Sequence, residues 1–432
     1  MDESPVDVDV DAVREGPVDA PSAHSALGRR LDLFDTSPLV GPGLPLWLPA
    51  GGVVRGELER FALELSLATG CRRVHTPVLA GRELFERSGH WQKFSADMFP
   101  PVRVGGQELV LRPANCPHHT QVFAARPHSH RDLPVRLAEL GSMFRSELSG
   151  VLTGLSRVRQ ITLDDAHSFC RPDQVVDEVV GALRAVRHAY DVLGIEVHRY
   201  RLSVRGAAQA HLGDDAVWAS AEGALREALS VLGVEHEEAA GEAAFYGPKV
   251  DVQVLDGRGR EETLSTVQVD HVQPERFELT YTGADGGAHR PVLVHRGLLS
   301  SMERLTALLL EADDGWLATW LSPVQLRVLP VSGERHGAAA RALADALCAD
   351  GLRVEVAADG PLPRRVRAAR ERRVPHVAVV GDAELGDGPA VPAAVSVGGP
   401  GAAPVRVPVA VLRERLLAEV RGRRRERTDW SA

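Results

Sequence analysis

The sequence predicts an α+β protein: an antiparallel sheet core with flanking helices, followed by a small C-terminal α/β domain. Three observations carry that prediction. Up to about residue 312, β-type segments follow one another as hairpin neighbours while helices stand apart, which suits antiparallel pairing better than a doubly wound sheet. From Gln325 the order becomes strand, helix, strand, helix, strand, the alternation of a small α/β unit. A length of 432 residues, 44% apolar and 25% charged, is enough for two or three ordinary globular domains.

The elements follow in order. MDESPVDVDVDAVREGPVDA is acidic and free of aromatics, so residues 1–22 are expected to be a disordered extension. Residues 23–322 are the expected sheet domain and 323–432 the α/β domain. GRRLDLF and the turn-rich VGPGLP lead into a helix, VVRGELERFALELSLATG, closed by Gly70. VHTPVL reads as a strand, and LVLRPANCPHHTQVFAA as a strand running into a helix. RLAELGSMFRSE leads into FRSELSGVLTGLSRVRQITLDDAHSFC, which resolves at period two into a hairpin around Ser149, Gly150 and Gly154. Arg145 and Glu147 share a face of its first strand. Arg157, Arg159, Ile161, Leu163, Asp165, His167 and Phe169 share one of the second. On pattern alone, a solvated hairpin explains this alternation better than a site does.

An amphipathic helix follows from Arg171, with Pro172 near its start and Gly194 past its end. VHRYRLSV, AAFYGPKVDVQVLD, ETLSTVQVDH and RFELTYTG read as strands, and LLSSMERLTALLLE as a helix beginning near Gly297. In the C-terminal part, QLRVLPV, LRVEVA and HVAVVG are strands between the helices GAAARALADALCADG and PRRVRAARERR. The Gly/Pro/Ala-rich ELGDGPAVPAAVSVGGPGAAP then interrupts before a last helix and the basic tail RGRRRER.

Composition narrows the function classes. No apolar run approaches a membrane span and no signal peptide opens the chain, so the expected place is the cytoplasm. Cys71, Cys116, Cys170 and Cys348 lie far apart with no CxxC pair, which suits a reducing compartment. A net charge of −9 gives no global attraction to nucleic acid, so such a partner must meet a local basic patch. Of 50 basic residues only Lys93 and Lys249 are lysines.

Eight blocks in fixed order give the sharper reading: GPGLPLWLPAGGVVRGELERF, FERSGHWQKFSADMF, LRPANCPHH, FRSE, RVRQITLDDAHSFC, AAFYGPKVDVQ, STVQVDH and HRGLLSSMERL. In these, and in their separations, the chain from about His24 onward resembles the threonyl-tRNA synthetase family of class II aminoacyl-tRNA synthetases. Both lysines fall inside the blocks. The resemblance implies a class II antiparallel sheet core and a C-terminal anticodon-binding-type domain. It implies that Arg145 holds the ATP α-phosphate and the substrate carboxylate, and that Glu147 reads adenine. Arg157 and Arg304 would hold the outer phosphates, with Mg2+ beside them. Guanidinium forks suit phosphate oxygens because they bind bidentately and stay charged. It further implies one zinc ion per subunit on Cys116, His167 and His295, a trio that spacing alone would not nominate. Asp165 would receive the threonine hydroxyl, with Tyr246 and Gln268 lining the same pocket. A centre that must bond a hydroxyl rejects valine far better than an apolar pocket does. A homodimer is implied too, through the helix and VHTPVL strand.

The chain departs from the family pattern near this site. Ala114, Thr153, Gln160, Leu163, Thr263, Ser265 and Ser300 replace the usual residues, and Ile161 stands where an aromatic would stack on adenine. The arginine-rich strand expected to face the anticodon is AVPAAVSVGG here, which weakens anticodon reading. No editing domain precedes the core in this sequence. The leading expectation is therefore a threonine–tRNA ligase without editing in cis, with ATP, threonine and tRNA as partners and no membrane. Two other readings stay open. One is a paralogue activating threonine or a β-hydroxy analogue for another acceptor, or giving inhibitor resistance. The other is a catalytically weak regulatory binder of amino acid or RNA.

Overall fold

The computed structural model describes residues 22–206, 212–385 and 391–431; the acidic extension lies, apart from Ser22, outside them. An eight-stranded sheet dominates. Its order is His236–Ala240, Arg199–Val204, Lys249–Leu255, Glu261–Asp270, Val292–Gly297, Gln160–Cys170, Val135–Phe144 and Arg72–Arg73. Only the two outermost pairs are parallel, so the α+β expectation holds.

Alternation decides which face is covered. On Glu261–Asp270, Val267 and Val269 point into a core with Val250 and Val252, sealed by Val179, Leu183, Val186 and Tyr190 of helix Val175–Leu193. Each such aliphatic side chain contributes about 1.5–3 kcal/mol when fully buried. The helix ends where Gly194 turns left-handed at φ +68°, as its sequence signal predicts. Helix Asp215–Leu232, whose N-terminus is capped by Asp214 accepting from the Val217 N–H at 2.9 Å, packs beside it and was not foreseen. The opposite face bears Gln268, His295 and His167, which stand side by side on neighbouring strands.

Four local expectations need correction. The hairpin strands end at Phe144 and begin at Gln160, so Arg145, Glu147, Arg157 and Arg159 sit in the connecting loop. One further backbone bond, Arg145 N–H to the Arg159 carbonyl at 2.9 Å, extends the ladder. Beyond it the Ser146 N–H turns to the Asp97 carbonyl and the Glu147 carbonyl is taken by the Arg159 side chain. VHTPVL is not one strand, because residues 74–78 lie between Arg72–Arg73 and Leu79–Gly81. RFELTYTG yields only Tyr281–Thr282, since Glu278 takes a left-handed turn at φ +52°. The helix expected from Gly297 starts at Met302, where the Ser301 hydroxyl accepts from the Arg304 N–H. Gly297 instead ends a strand.

In the C-terminal part, Val354–Val356, Leu326–Pro330 and His376–Val380 are parallel neighbours, as the alternation implies. The Gly/Pro/Ala-rich stretch adds an antiparallel pair, Ala394–Gly398 with Val405–Pro408. A strand therefore does occupy AVSVG, but without arginine. This sheet has its own apolar core. The two parts meet on helix Pro49–Ala68. There Arg353 donates to Glu57 at 2.7 Å, and Arg423 pairs with Glu64 while lying 5.1 Å over the Phe61 ring. Among the described residues no helix is long and apolar enough to cross a membrane.

Candidate active site

Strand register does the assembling. His295 stands opposite His167 on one neighbouring strand and opposite Gln268 on the other. Cys116 opens helix Cys116–Ala124 and brings its thiol to the same place. The donor atoms of buried Cys116, His167 and His295 all lie within 4.8 Å of one another, and His167 Nε2 is 2.9 Å from His295 Nδ1. One Asp270 oxygen accepts from the backbone N–H groups of Val272 and Gln273 at 2.7 and 2.9 Å. Its other oxygen accepts from His295 Nε2 at 2.9 Å. A proton on Nε2 leaves His295 Nδ1 as a lone pair aimed into the trio. Burial, then the other histidines His295 and His119, holds His167 well below its usual value and so neutral. Burial, followed by Asp165 and Asp270, pushes the Cys116 thiol well above its usual value, so a cation is what would draw its proton off. One sulfur and two neutral imidazoles converging in this way fit a three-ligand zinc centre.

Asp165 shares the His167 face, its Oδ1 3.9 Å from His167 Nε2. Burial, then Asp164 and Glu139, push its carboxyl well above the usual range. The Tyr246 hydroxyl donates to Gln268 Oε1 at 2.7 Å, and its ring stacks on His295 at 5.0 Å. Sequence reading missed two neighbours. His90 Nε2 is 3.6 Å from Cys116 Sγ and its Nδ1 2.8 Å from Ser88 Oγ. Burial, then the nearby basic groups of His295, Arg145 and Arg276, lower His90 to about 3. Asn115 presses against Gly141, where a Cβ would lie 2.1 Å from its Nδ2. Its buried amide atoms have no well-formed hydrogen bond among the described residues, though they lie near enough to Asp165 to favour its ionised form. Both residues fall inside quoted blocks, but a lone His or Asn carries no signal of its own.

Beyond the trio, Arg145 is exposed by area although protein atoms crowd its guanidinium. That crowding, and then Arg304, disfavour its charge while Glu147 supports it, so two cations converge where an anion would relieve both. Arg304 is held by the carbonyls of Thr263, at 3.3 Å, and Ser156, at 3.5 Å. Arg157 Nε donates to Glu147 at 2.9 Å. Ile161 is half-buried opposite Met143, and Leu163 half-buried opposite Gly141, on the site face. Thr263 Oγ1 accepts from Gln253 at 3.0 Å. Ser265 is a correction: its hydroxyl points to the helix side, bonding Tyr190 Oη at 2.7 Å and the Leu298 carbonyl, away from the pocket. Ala114 precedes Asn115, Gln160 is exposed at its strand's start, and Thr153 is exposed in the loop. Ser300 takes φ +62°.

Residues 101–313 match the family described as the tRNA synthetase class II core domain (G, H, P, S and T), and residues 325–391 match the anticodon binding domain. A solved structure titled as the RNA binding domain of threonyl-tRNA synthetase from Cryptosporidium parvum Iowa II superposes with a TM-score of 0.86 at 33% identity. That match covers 94% of this chain and 99% of that one. The chain belongs to the threonyl-tRNA synthetase family. Curated family members agree: the Bacillus subtilis (strain 168) threonine–tRNA ligase 1 is 48% identical over 368 residues, 84% of this chain and 57% of its own length. The Geobacillus kaustophilus (strain HTA426) threonine–tRNA ligase is 48% identical over 367 residues, 84% of this chain and 56% of that one. The chain thus spans somewhat more than half the length of these relatives.

Proposed function

We propose that the chain activates threonine with ATP and Mg2+ and transfers the threonyl group to tRNA. The observation that carries this is the convergence of the Cys116–His167–His295 trio and Asp165 with two arginines, Arg145 and Arg304, close by. Arg145 would hold the threonine carboxylate against the α-phosphate, and Arg304 an outer phosphate, so that attack is favoured by placement and charge stabilisation. Glu147 and Arg157, paired with each other at 2.9 Å, would exchange that bond for the adenine amino group and a phosphate. Ile161 would give adenine apolar contact without ring stacking. A zinc ion on the trio would supply a Lewis acid that must bond the substrate's amino and hydroxyl groups. Asp165 would accept the hydroxyl proton's hydrogen bond, and the Tyr246–Gln268 pair would close the pocket beside it.

The same proposal places the domain boundary near 322/323, supported by two separate apolar cores. It includes a homodimer, supported by the exposed outer strand Arg72–Arg73, and work in the cytoplasm, consistent with four free cysteines. The test is amino-acid-dependent ATP–pyrophosphate exchange over a substrate panel, followed by charging of purified threonine tRNA. Threonine-dependent exchange and charging are expected. Exchange with no amino acid would refute activation, and exchange without charging would refute tRNA as the acceptor.

A further inference from the structure

His119 and Glu139 form a buried pair that the proposed reaction does not use. His119 is fully buried and Glu139 is 5% exposed. Glu139 already accepts from Arg112 Nη2 at 3.2 Å, from the Thr76 N–H at 3.1 Å and from the Thr76 hydroxyl at 2.7 Å. With those donors upon it the carboxylate is an acceptor only, so its 3.2 Å contact with His119 Nε2 requires the proton on that nitrogen. His119 Nδ1 is then a lone pair, 2.8 Å from His167 Nδ1. Two lone pairs at that separation repel. The contact is a hydrogen bond only if His167 carries its proton on Nδ1.

His167 Nε2 is thereby left bare, facing His295 Nδ1 at 2.9 Å, which Asp270 leaves bare on the other side. A purely structural polar network would end with its groups satisfied. This one ends on two acceptors face to face, a collision that only a cation relieves. We propose that Glu139 and His119 are positioning residues that set the tautomer of His167, so that both imidazole lone pairs are offered to the metal. The inference rests on reading the trio as a metal centre. It also gives helix Cys116–Ala124 two tasks, because Cys116 and His119 are three residues apart on one face.

The test uses the full chain. Long-range 15N–1H spectra of the zinc-loaded protein are expected to show His119 protonated at Nε2 and His167 at Nδ1. The opposite pattern would overturn the proposal. Zinc affinity, measured by competition with a chromophoric chelator, is expected to fall about 10–100-fold in Glu139→Gln and in His119→Leu. In the first, the new amide donates to His119 and reverses the chain; in the second, the chain ends. His119→Asn keeps an acceptor near His167 Nδ1 and is expected to retain most of the affinity. Unchanged affinity in folded Glu139→Gln and His119→Leu would overturn the proposal, as would equal losses in His119→Asn and His119→Leu. If Glu139→Gln unfolds through loss of its Arg112 and Thr76 bonds, the His119 pair and the wild-type spectrum still decide. A wild-type chain that holds no zinc fails the metal reading itself. Zinc held equally by every folded variant fails only the positioning.

Discussion

His376 in the C-terminal part and the His167–His295 pair in the sheet domain are both buried, and their ring nitrogens end differently. In the C-terminal part, His376 is fully buried: Trp430 Nε1 donates to its Nδ1 at 3.1 Å, and its Nε2 donates to Glu419 at 3.0 Å with Thr319 Oγ1 3.2 Å away. Every polar atom of that ring is used by the protein. In the sheet domain, His167 and His295 are as buried, yet each turns one nitrogen toward the other. Burial alone does not separate a structural histidine from a functional one. What distinguishes His376 from His167 and His295 is that its lone pair is consumed within the protein.

The contrast breaks most sharply at Cys116. Cys116→Ala is expected to lower threonine-dependent pyrophosphate exchange on the order of 10³-fold with its zinc content lost, the effect of removing several kcal/mol of Lewis-acid stabilisation. Undiminished zinc by metal analysis would sink the assignment. Trp430→Ala attacks the other cluster and should do the reverse. Calorimetry is expected to show about 3 kcal/mol less stability, with exchange nearly unchanged; a loss of exchange without a loss of stability would collapse the distinction.

Acid titration sharpens the comparison further. Burial opposes ionisation of Glu419, but bonds from His376, Thr319 and Thr428 outweigh it and hold the carboxyl down at about 2, against an ordinary 4.5. Because the folded value is depressed, this stabilisation is fully present above pH 4.5 and is lost as pH falls toward 2. Glu419→Gln is therefore expected to flatten the acid limb of stability by on the order of 3 kcal/mol. An unchanged acid limb in denaturant melts between those pH values would refute it. The smallest effect belongs to Ser300. Left-handed backbone at φ +62° costs a non-glycine residue about 1–2 kcal/mol, and glycine's extra unfolded-state entropy returns part of that. Ser300→Gly is expected to gain about 0.5 kcal/mol in a thermal melt.

These contrasts show what was and was not legible in the sequence. Gly70, Gly194 and the period-two runs announced the long helices and central strands, because local backbone preference and alternation act within a few residues. The hairpin loop reads as strand in the sequence because charges alternating across Arg145, Glu147, Arg157 and Arg159 look like pleating. In the structure, side chains and Asp97 take over those backbone groups. The helix Asp215–Leu232 lies between more conspicuous β-type runs, which mask its period in the sequence. For the site, the quoted blocks pointed to Cys116, His167 and His295, but strand register aligns the two histidines and helix Cys116–Ala124 brings the thiol to them. His90, Asn115, His119 and Glu139 were invisible for the same reason: their meaning lies in partners far along the chain. Ser265 shows the converse, a departure counted near the site that faces the helix layer instead.

Helix Pro49–Ala68 carries a practical consequence. Both cations that reach it from the C-terminal part, Arg353 on Glu57 and Arg423 on Glu64, would vanish with a cut after Ser322. Arg423 also lies 5.1 Å over the Phe61 ring and 5.4 Å over that of Trp320. Severing the chain there would leave two carboxylates stranded and two large aromatic rings newly wet, a sticky scar on the sheet domain. The protein is a poor subject for dissection, and its parts are best studied joined.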